Sequence, residues 1–221
     1  MKNLIVTLVP KTGGTTLNEF FKECFSDKYY ELCRRNYGDP YTIVNAHNQV
    51  VDTLQEPFVL MAKHHGIVPL AQLVPAEMVS RAVRVVTWRD PFERIKSVYN
   101  GNKYYQRHTF SEFTRLYLNN WPRVTIQTYH SEPDDDKQIH LLPQHCWLKE
   151  PHDMEIRLEN MVDDLRTVLQ RAEWPHDNAQ WVDSHRFNER WTFHNARPTP
   201  IGRMEHERIV KFYRDDFLWG K

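Results

Sequence analysis

Residues 10 to 17 read Pro-Lys-Thr-Gly-Gly-Thr-Thr-Leu and collect what an anion needs. Lys11 supplies a cation, Gly13 and Gly14 let the backbone approach a ligand closely, and Thr15 and Thr16 bring hydroxyl donors. The preceding run Leu4 to Val9 is β-rich, and Leu17 onward begins a helical pattern. A loop between a strand and a helix N-terminus presents unpaired N–H groups and the positive end of the helix dipole, which suits phosphate or sulfate. Two of only seven glycines stand side by side here, so composition alone does not account for them. A plain strand-to-helix turn with a threonine cap would require neither the lysine nor both glycines. The phosphate loop of nucleotide hydrolases, G-x-x-x-x-G-K-[ST], places its lysine after the glycines, whereas Lys11 precedes them.

A second segment, Val83 to Tyr99, reads Val-Arg-Val-Val-Thr-Trp-Arg-Asp-Pro-Phe-Glu-Arg-Ile-Lys-Ser-Val-Tyr. Val83 to Trp88 is a strand pattern; Asp90 is a natural N-cap, Pro91 suits the first helical position, and Glu93 completes a capping-box arrangement. Arg89 therefore falls at the carboxyl end of a strand, and Ser97 about two turns into the next helix. Ligands of open α/β sheets bind beyond the carboxyl ends of the strands, where Lys11 also falls. Both cations are then expected to face one crevice. Arg-Asp-Pro alone begins many helices; the longer pattern R-D-P-x-x-R-x-x-S-x-Y is more specific.

Pro10 to Leu17 resembles the 5′-phosphosulfate loop of sulfotransferases that use 3′-phosphoadenosine 5′-phosphosulfate (PAPS), and the longer pattern resembles their 3′-phosphate-binding segment. The resemblance implies that Lys11, Thr12, Gly13, Gly14, Thr15 and Thr16 hold the 5′-phosphosulfate, and that Arg89 and Ser97 grip the 3′-phosphate. Arginine suits that task because its planar fork binds phosphate oxygens bidentately. Arg94 is a lesser candidate, with bracing of the helix as its other reading. Leu142-Pro143-Gln144 and the run Met154 to Asn160 resemble the family's late Pro-Gln segment and its final strand ending in Glu-Asn. The tail Glu207 to Phe217 resembles the terminal helix of carbohydrate-type, membrane-family sulfotransferases. The fold so implied is α/β: a single three-layer domain over residues 1 to 221, P-loop NTPase-like, with a mainly parallel central sheet flanked by helices.

Sulfuryl transfer to an alcohol also needs a base. His64 and His65 follow the strand pattern Phe58 to Lys63 at its carboxyl end, the sheet edge shared with Lys11 and Arg89. Related sulfotransferases carry a catalytic histidine just upstream of the Arg-Asp-Pro motif, which is where this pair lies. Strand alternation sends the two side chains to opposite faces, so one at most points into the crevice. Packing residues at a helix entry are the other reading of the pair. Glutamate is the base in some sulfotransferases, which keeps Glu19 and Glu159 open. Lys63 could assist with sulfate charge.

The remaining elements must position these groups. Helices are expected over Thr16 to Phe25, between Val68 and Ser80, from Pro91 to about Asn100-Gly101, and over Ser111 to Leu118, Met161 to Arg171 and Arg203 to Phe217. Strands are expected over Tyr41 to Ala46 and Pro57 to Lys63, with irregular chain from Phe25 to Pro40. Trp121 to Gln144 carries three prolines and the run Asp134-Asp135-Asp136, and reads as a long loop. Alternating strands and helices imply a parallel sheet with helices on both faces.

The 221 residues balance 29 basic against 29 acidic side chains, which argues against nucleic acid as a partner. No run reaches the apolar length of a membrane span and the start is too short for a signal peptide, so a cytoplasmic protein without stable membrane insertion is expected. Three cysteines without a C-x-x-C pair suggest buried thiols, with a Cys24–Cys33 bridge left open. Twelve scattered histidines give no metal-ligand spacing, and no metal is assigned. The acceptor expected from the resemblance is a hydroxyl, foremost a carbohydrate's; Tyr104, Tyr105, Arg107 and Trp121 lie in the loops expected to line its pocket. The competing readings are a nucleotide-dependent kinase with a divergent phosphate loop and a non-catalytic nucleotide-binding protein on the same fold.

Overall fold

The computed structural model describes residues 1–33, 41–63, 70, 74–102, 104–118, 139–147, 151–184 and 199–219. In chain order, strand β1 spans Leu4–Leu8, helix α1 Gly14–Cys24, β2 Tyr29–Cys33, β3 Thr42–Asn45 and β4 Val59–Lys63. Helix α2 spans Ala76–Arg81, β5 Val83–Trp88, α3 Pro91–Gly101 and α4 Phe110–Leu118. Then come β6, Met154–Arg157, and the helices α5, Met161–Arg171, α6, Trp181–Ser184, α7, Arg203–Phe212, and α8, Arg214–Trp219. The chain divides into two compact units, Met1–Trp88 with Glu150–Arg186 and Arg89–Lys149 with Phe187–Lys221.

The first unit is built on a six-stranded sheet of order β3-β2-β4-β1-β5-β6. Every pairing is parallel except the antiparallel edge pair β2–β3. The central strands are apolar on both faces, as parallel strands covered on both sides must be. On one face Leu4, Val6, Leu8, Val59, Met61 and Val85 pack with Leu17, Phe20 and Phe21 of α1 and with Leu165, Val168 and Leu169 of α5. On the other, Ile5, Leu60 and Ala62 join Tyr30, Leu32, Phe58, Leu70 and Val74, with Met78 and Val79 of α2 packed against them. β1 lies between β4 and β5; the chain leaves it through α1 on one face toward β2 and reaches β5 from β4 through α2 on the other face, so the topological switch point lies beside β1.

The second unit is helical. Ile95, Val98 and Tyr99 of α3, Phe110 and Phe113 of α4, and Ile209 with Tyr213 form its core. Arg94 lies within it, 1% exposed, donating through Nη2 to the His140 carbonyl at 2.9 Å, with its guanidinium 5.9 Å from the centroid of the Tyr213 ring.

Several boundaries differ from expectation. Tyr29–Cys33 is a strand where irregular chain was expected, because its alternation puts Tyr30 and Leu32 into the second apolar layer. The strand expected to run to Asn160 stops at Arg157; Leu158–Asn160 is a 3₁₀ turn, with the Arg157 N–H donated to Asp164 Oδ2 at 2.7 Å. The single last helix is broken at Tyr213, whose buried hydroxyl donates to the Leu141 carbonyl at 2.9 Å. The helix expected between Val68 and Ser80 is α2 alone among its continuously described residues, entered after Pro75. Cys24, Cys33 and Cys146 are free thiols, so the open Cys24–Cys33 bridge is absent.

Candidate functional site

The loop after β1 is bent by two left-handed residues on either side of Thr12: Lys11 at φ 66° and Gly13 at φ 88°. For lysine this region costs about 1–2 kcal/mol, so neighbouring bonds must hold it there. Thr12 does so. Its fully buried hydroxyl donates to the Val9 carbonyl at 2.6 Å and also bonds the Thr87 hydroxyl. Thr87 Oγ1 in turn accepts the Val9 N–H at 2.9 Å, so a side chain of β5 ends the ladder that β1 can no longer continue. Sequence reading passed over Thr87, because its partners lie 75 and 78 residues away.

Gly13 has two structural reasons. Its φ is left-handed, and a Cβ there would stand 2.4 Å from Met161 Cε and 2.7 Å from Leu158 Cδ1. Gly14 opens α1, and a Cβ on it would meet Leu8 Cδ1 at 3.3 Å. Gly13 brings no side-chain cap to α1, and the first turn of the helix contains no acidic residue. The first turn itself thus brings no negative charge against the positive end of the helix dipole, beside the exposed Thr15 and half-buried Thr16. Successive N–H groups in such a bend form an anion-binding concavity. These features fit a 5′-phosphosulfate.

The second candidate segment lies in the helical unit. Asp90 caps α3 as expected, its Oδ1 accepting the Glu93 N–H at 3.0 Å, with Pro91 in the first turn. Glu93 does not complete the box; its carboxylate accepts from Lys96 Nζ at 2.7 Å instead. Arg89, 3% exposed, precedes the cap, and Ser97 is half-buried on α3. The backbone of Arg89 is bound to the fully buried Gln144 by two hydrogen bonds, and the backbone N–H groups of Gln144 and His145 both donate to Asp216. His145 Nδ1 lies 2.9 Å from Asp216 Oδ1, and this bond, aided by the Cys146 contact, pushes the imidazole pKa from 6.5 up to about 10. His145 carries no local motif and went unnoticed in the sequence; Gln144 and Asp216 stood within the late Pro-Gln segment and the tail Glu207 to Phe217, without roles of their own.

His64, His65 and Trp121 lie outside the described residues. Lys63 ends β4 in register with Leu8 of β1. Glu19 is half-buried on α1, and Glu159 is exposed in the 3₁₀ turn after β6. Tyr104 is a core residue, its ring centroid 4.8 Å from that of Phe113 and its hydroxyl pKa pushed up to about 12 by burial; Tyr105 is half-buried and Arg107 exposed. Among the described residues no group of three or more His, Cys, Asp or Glu side chains is placed to hold a metal, and no helix is long and apolar enough to cross a membrane.

A protein-family model described as "Sulfotransferase family" matches residues 1–219. No curated protein and no solved structure matches the chain.

Replacing Thr87 by Val keeps the shape but leaves the buried Val9 N–H unsatisfied. A loss of about 1–3 kcal/mol in urea unfolding is expected, with Thr87→Ser losing less because it keeps the hydroxyl. The raised pKa of His145 gives its pairing a definite sign with pH. The charged imidazole stabilises the fold fully below the unfolded value near 6.5, and that stabilisation fades as pH rises through about 10. The stability gap between the wild type and His145→Asn is therefore expected to be larger at pH 6 than at pH 10; a gap independent of pH would remove the ion pair from the account.

Proposed function

We propose, from the premise that this chain belongs to the sulfotransferase family, that it sulfates a carbohydrate hydroxyl with one of His64 and His65 as the base. Family membership establishes the coarser statement: the protein is a PAPS-dependent sulfotransferase and its acceptor bears a hydroxyl. PAPS supplies the sulfuryl group and leaves as 3′-phosphoadenosine 5′-phosphate (PAP). The observation that carries the site assignment is the bend Lys11–Gly13 after the strand beside the switch point, entering a helix with no side-chain cap.

In this reading Lys11 neutralises charge that develops on the bridging oxygen as the sulfur–oxygen bond breaks. Gly13, Gly14, Thr15 and Thr16 offer N–H and hydroxyl donors to the 5′-phosphosulfate. Thr12 contributes through its backbone N–H, since its hydroxyl donates to the Val9 carbonyl. Arg89 and Ser97 take the 3′-phosphate, and the rigid cap at Asp90 supports the arginine's place at the head of α3. His64 and His65 directly follow the β4 residue paired with the last residue of β1, which supports a role near Lys11. The chosen histidine accepts the acceptor's hydroxyl proton as its oxygen bonds to sulfur, a contribution of ~10²–10⁴-fold. The resemblance of Glu207 to Phe217 to the tail of carbohydrate-type enzymes supports a sugar over a small alcohol or a peptide tyrosine.

An acceptor screen with sulfur-labelled PAPS tests the reading. Label is expected on an oligosaccharide; label confined to a tyrosyl peptide or a small alcohol would refute the carbohydrate assignment. With that acceptor, Lys11→Ala is expected to lower turnover by about 10²–10³-fold while leaving the melting temperature near that of the wild type. Of His64→Ala and His65→Ala, one is expected to lose about 10²–10⁴-fold and the other little. Full activity in both would move the base elsewhere, with Glu19 and Glu159 next to be replaced.

A further inference from the structure

Arg89 stands directly after the last residue of β5, yet both polar groups of its backbone are bonded to one side chain. The Arg89 N–H donates to Gln144 Oε1 at 3.0 Å, and Gln144 Nε2 donates to the Arg89 carbonyl at 2.7 Å. Two bonds exchanged with one residue are what a facing antiparallel strand residue would give, so the carboxamide of Gln144 stands in for a ladder partner. The amide is fully buried, and burial makes each of these bonds costly to lose.

Gln144 is itself fixed. Its N–H donates to Asp216 Oδ2 at 2.8 Å, and the His145 N–H donates to Asp216 Oδ1 at 2.9 Å. Asp216 is 1% exposed and belongs to α8, so the terminal helix holds the segment that holds Arg89. On its other side Arg89 is followed by the Asp90 cap, whose carboxylate accepts from Glu93 N–H. The arginine backbone is thus tied on both sides, which sets the direction in which the side chain leaves.

We infer that Gln144 is a positioning residue for 3′-phosphate recognition, acting through the backbone of Arg89 and kept in register by Asp216. The inference rests on the assignment of Arg89 to the 3′-phosphate. A guanidinium discriminates phosphate by a fixed fork geometry, so its selectivity depends on where its backbone is held. Loss of the clamp should lower selectivity for the 3′-phosphorylated nucleotide more than affinity for the nucleotide as such.

The test is calorimetric binding of PAP and of adenosine 5′-monophosphate, which lacks the 3′-phosphate, to the full chain. The readout is the ratio of the two dissociation constants. Arg89→Lys serves as reference, and Gln144→Met and Gln144→Glu are the test variants. Gln144→Met removes both bonds at near-constant volume and is expected to reduce the ratio about tenfold, with affinity for the monophosphate nearly unchanged. Gln144→Glu keeps an acceptor for the Arg89 N–H and is expected to lie between Gln144→Met and the wild type; it also carries the test should Gln144→Met fail to fold. If Arg89→Lys leaves the ratio at its wild-type value, the assignment of Arg89 fails and the inference with it. If Arg89→Lys collapses the ratio but Gln144 variants keep it, or weaken both nucleotides equally, Gln144 is a core residue without a positioning role.

Discussion

The central strand β1 has parallel neighbours on both edges and apolar layers on both faces. A chain leaving such a strand can neither continue the ladder nor turn back along it. It must bend over the carboxyl edge of the sheet, and every backbone group it buries there needs a partner. Thr87 meets that requirement by accepting the Val9 N–H, and Thr12 meets it from the loop side by donating to the Val9 carbonyl. With Val9 bonded through both groups, the loop can hold Lys11 and Gly13 at positive φ and deliver the chain into α1 at Gly14. The geometry of the loop follows from how a doubly covered strand can end.

The helical unit meets a comparable demand with buried polar side chains. Arg94, Gln144 and Asp216 are each almost inaccessible to solvent, and each has hydrogen-bond partners. A buried charge is costly when removed from water without compensation, and here the partners are backbone groups fixed by the fold and, for Asp216, also the His145 imidazole. Arg94 reaches the His140 carbonyl, Tyr213 reaches the Leu141 carbonyl, and Asp216 receives the N–H groups of Gln144 and His145. The short segment 140–145, which runs between two 3₁₀ turns at Ile139–Leu141 and Gln144–Cys146, is thereby bound by four buried or part-buried hydrogen bonds to α3, Tyr213 and α8.

What was legible in the sequence is what local chemistry encodes. Pro-Lys-Thr-Gly-Gly-Thr-Thr announces a loop and a helix start within eight residues, and Asp90-Pro91 with Glu93 announces a cap within four. Val83–Trp88 and Met161–Arg171 have the periodicity their structures use, and both have the expected bounds. Tyr29–Cys33 was missed because a lone acidic residue, Glu31, interrupts a short β-rich run; in the fold the Tyr29 hydroxyl donates to that carboxylate at 2.8 Å. Thr87, Gln144 and Asp216 were not given their roles because each acts on a partner 55 or more residues away. No periodicity or spacing carries such a pairing.

Those long-range residues share a mode of action that bears on how selectivity is built. Thr87 and Gln144 need not touch a ligand to matter. Each satisfies backbone groups at a residue where regular structure has just ended: Val9 after β1 and Arg89 after β5. The residues proposed to meet the donor, Lys11 and Arg89, are long and flexible, and a flexible cation on a mobile backbone gains charge neutralisation but little discrimination. Fixing the backbone removes part of the ordering cost before a ligand arrives, which is the physical content of preorganisation. A chain with no net charge cannot rely on its overall field to gather a polyanionic nucleotide, so local, backbone-held cations are the form in which such affinity must be built.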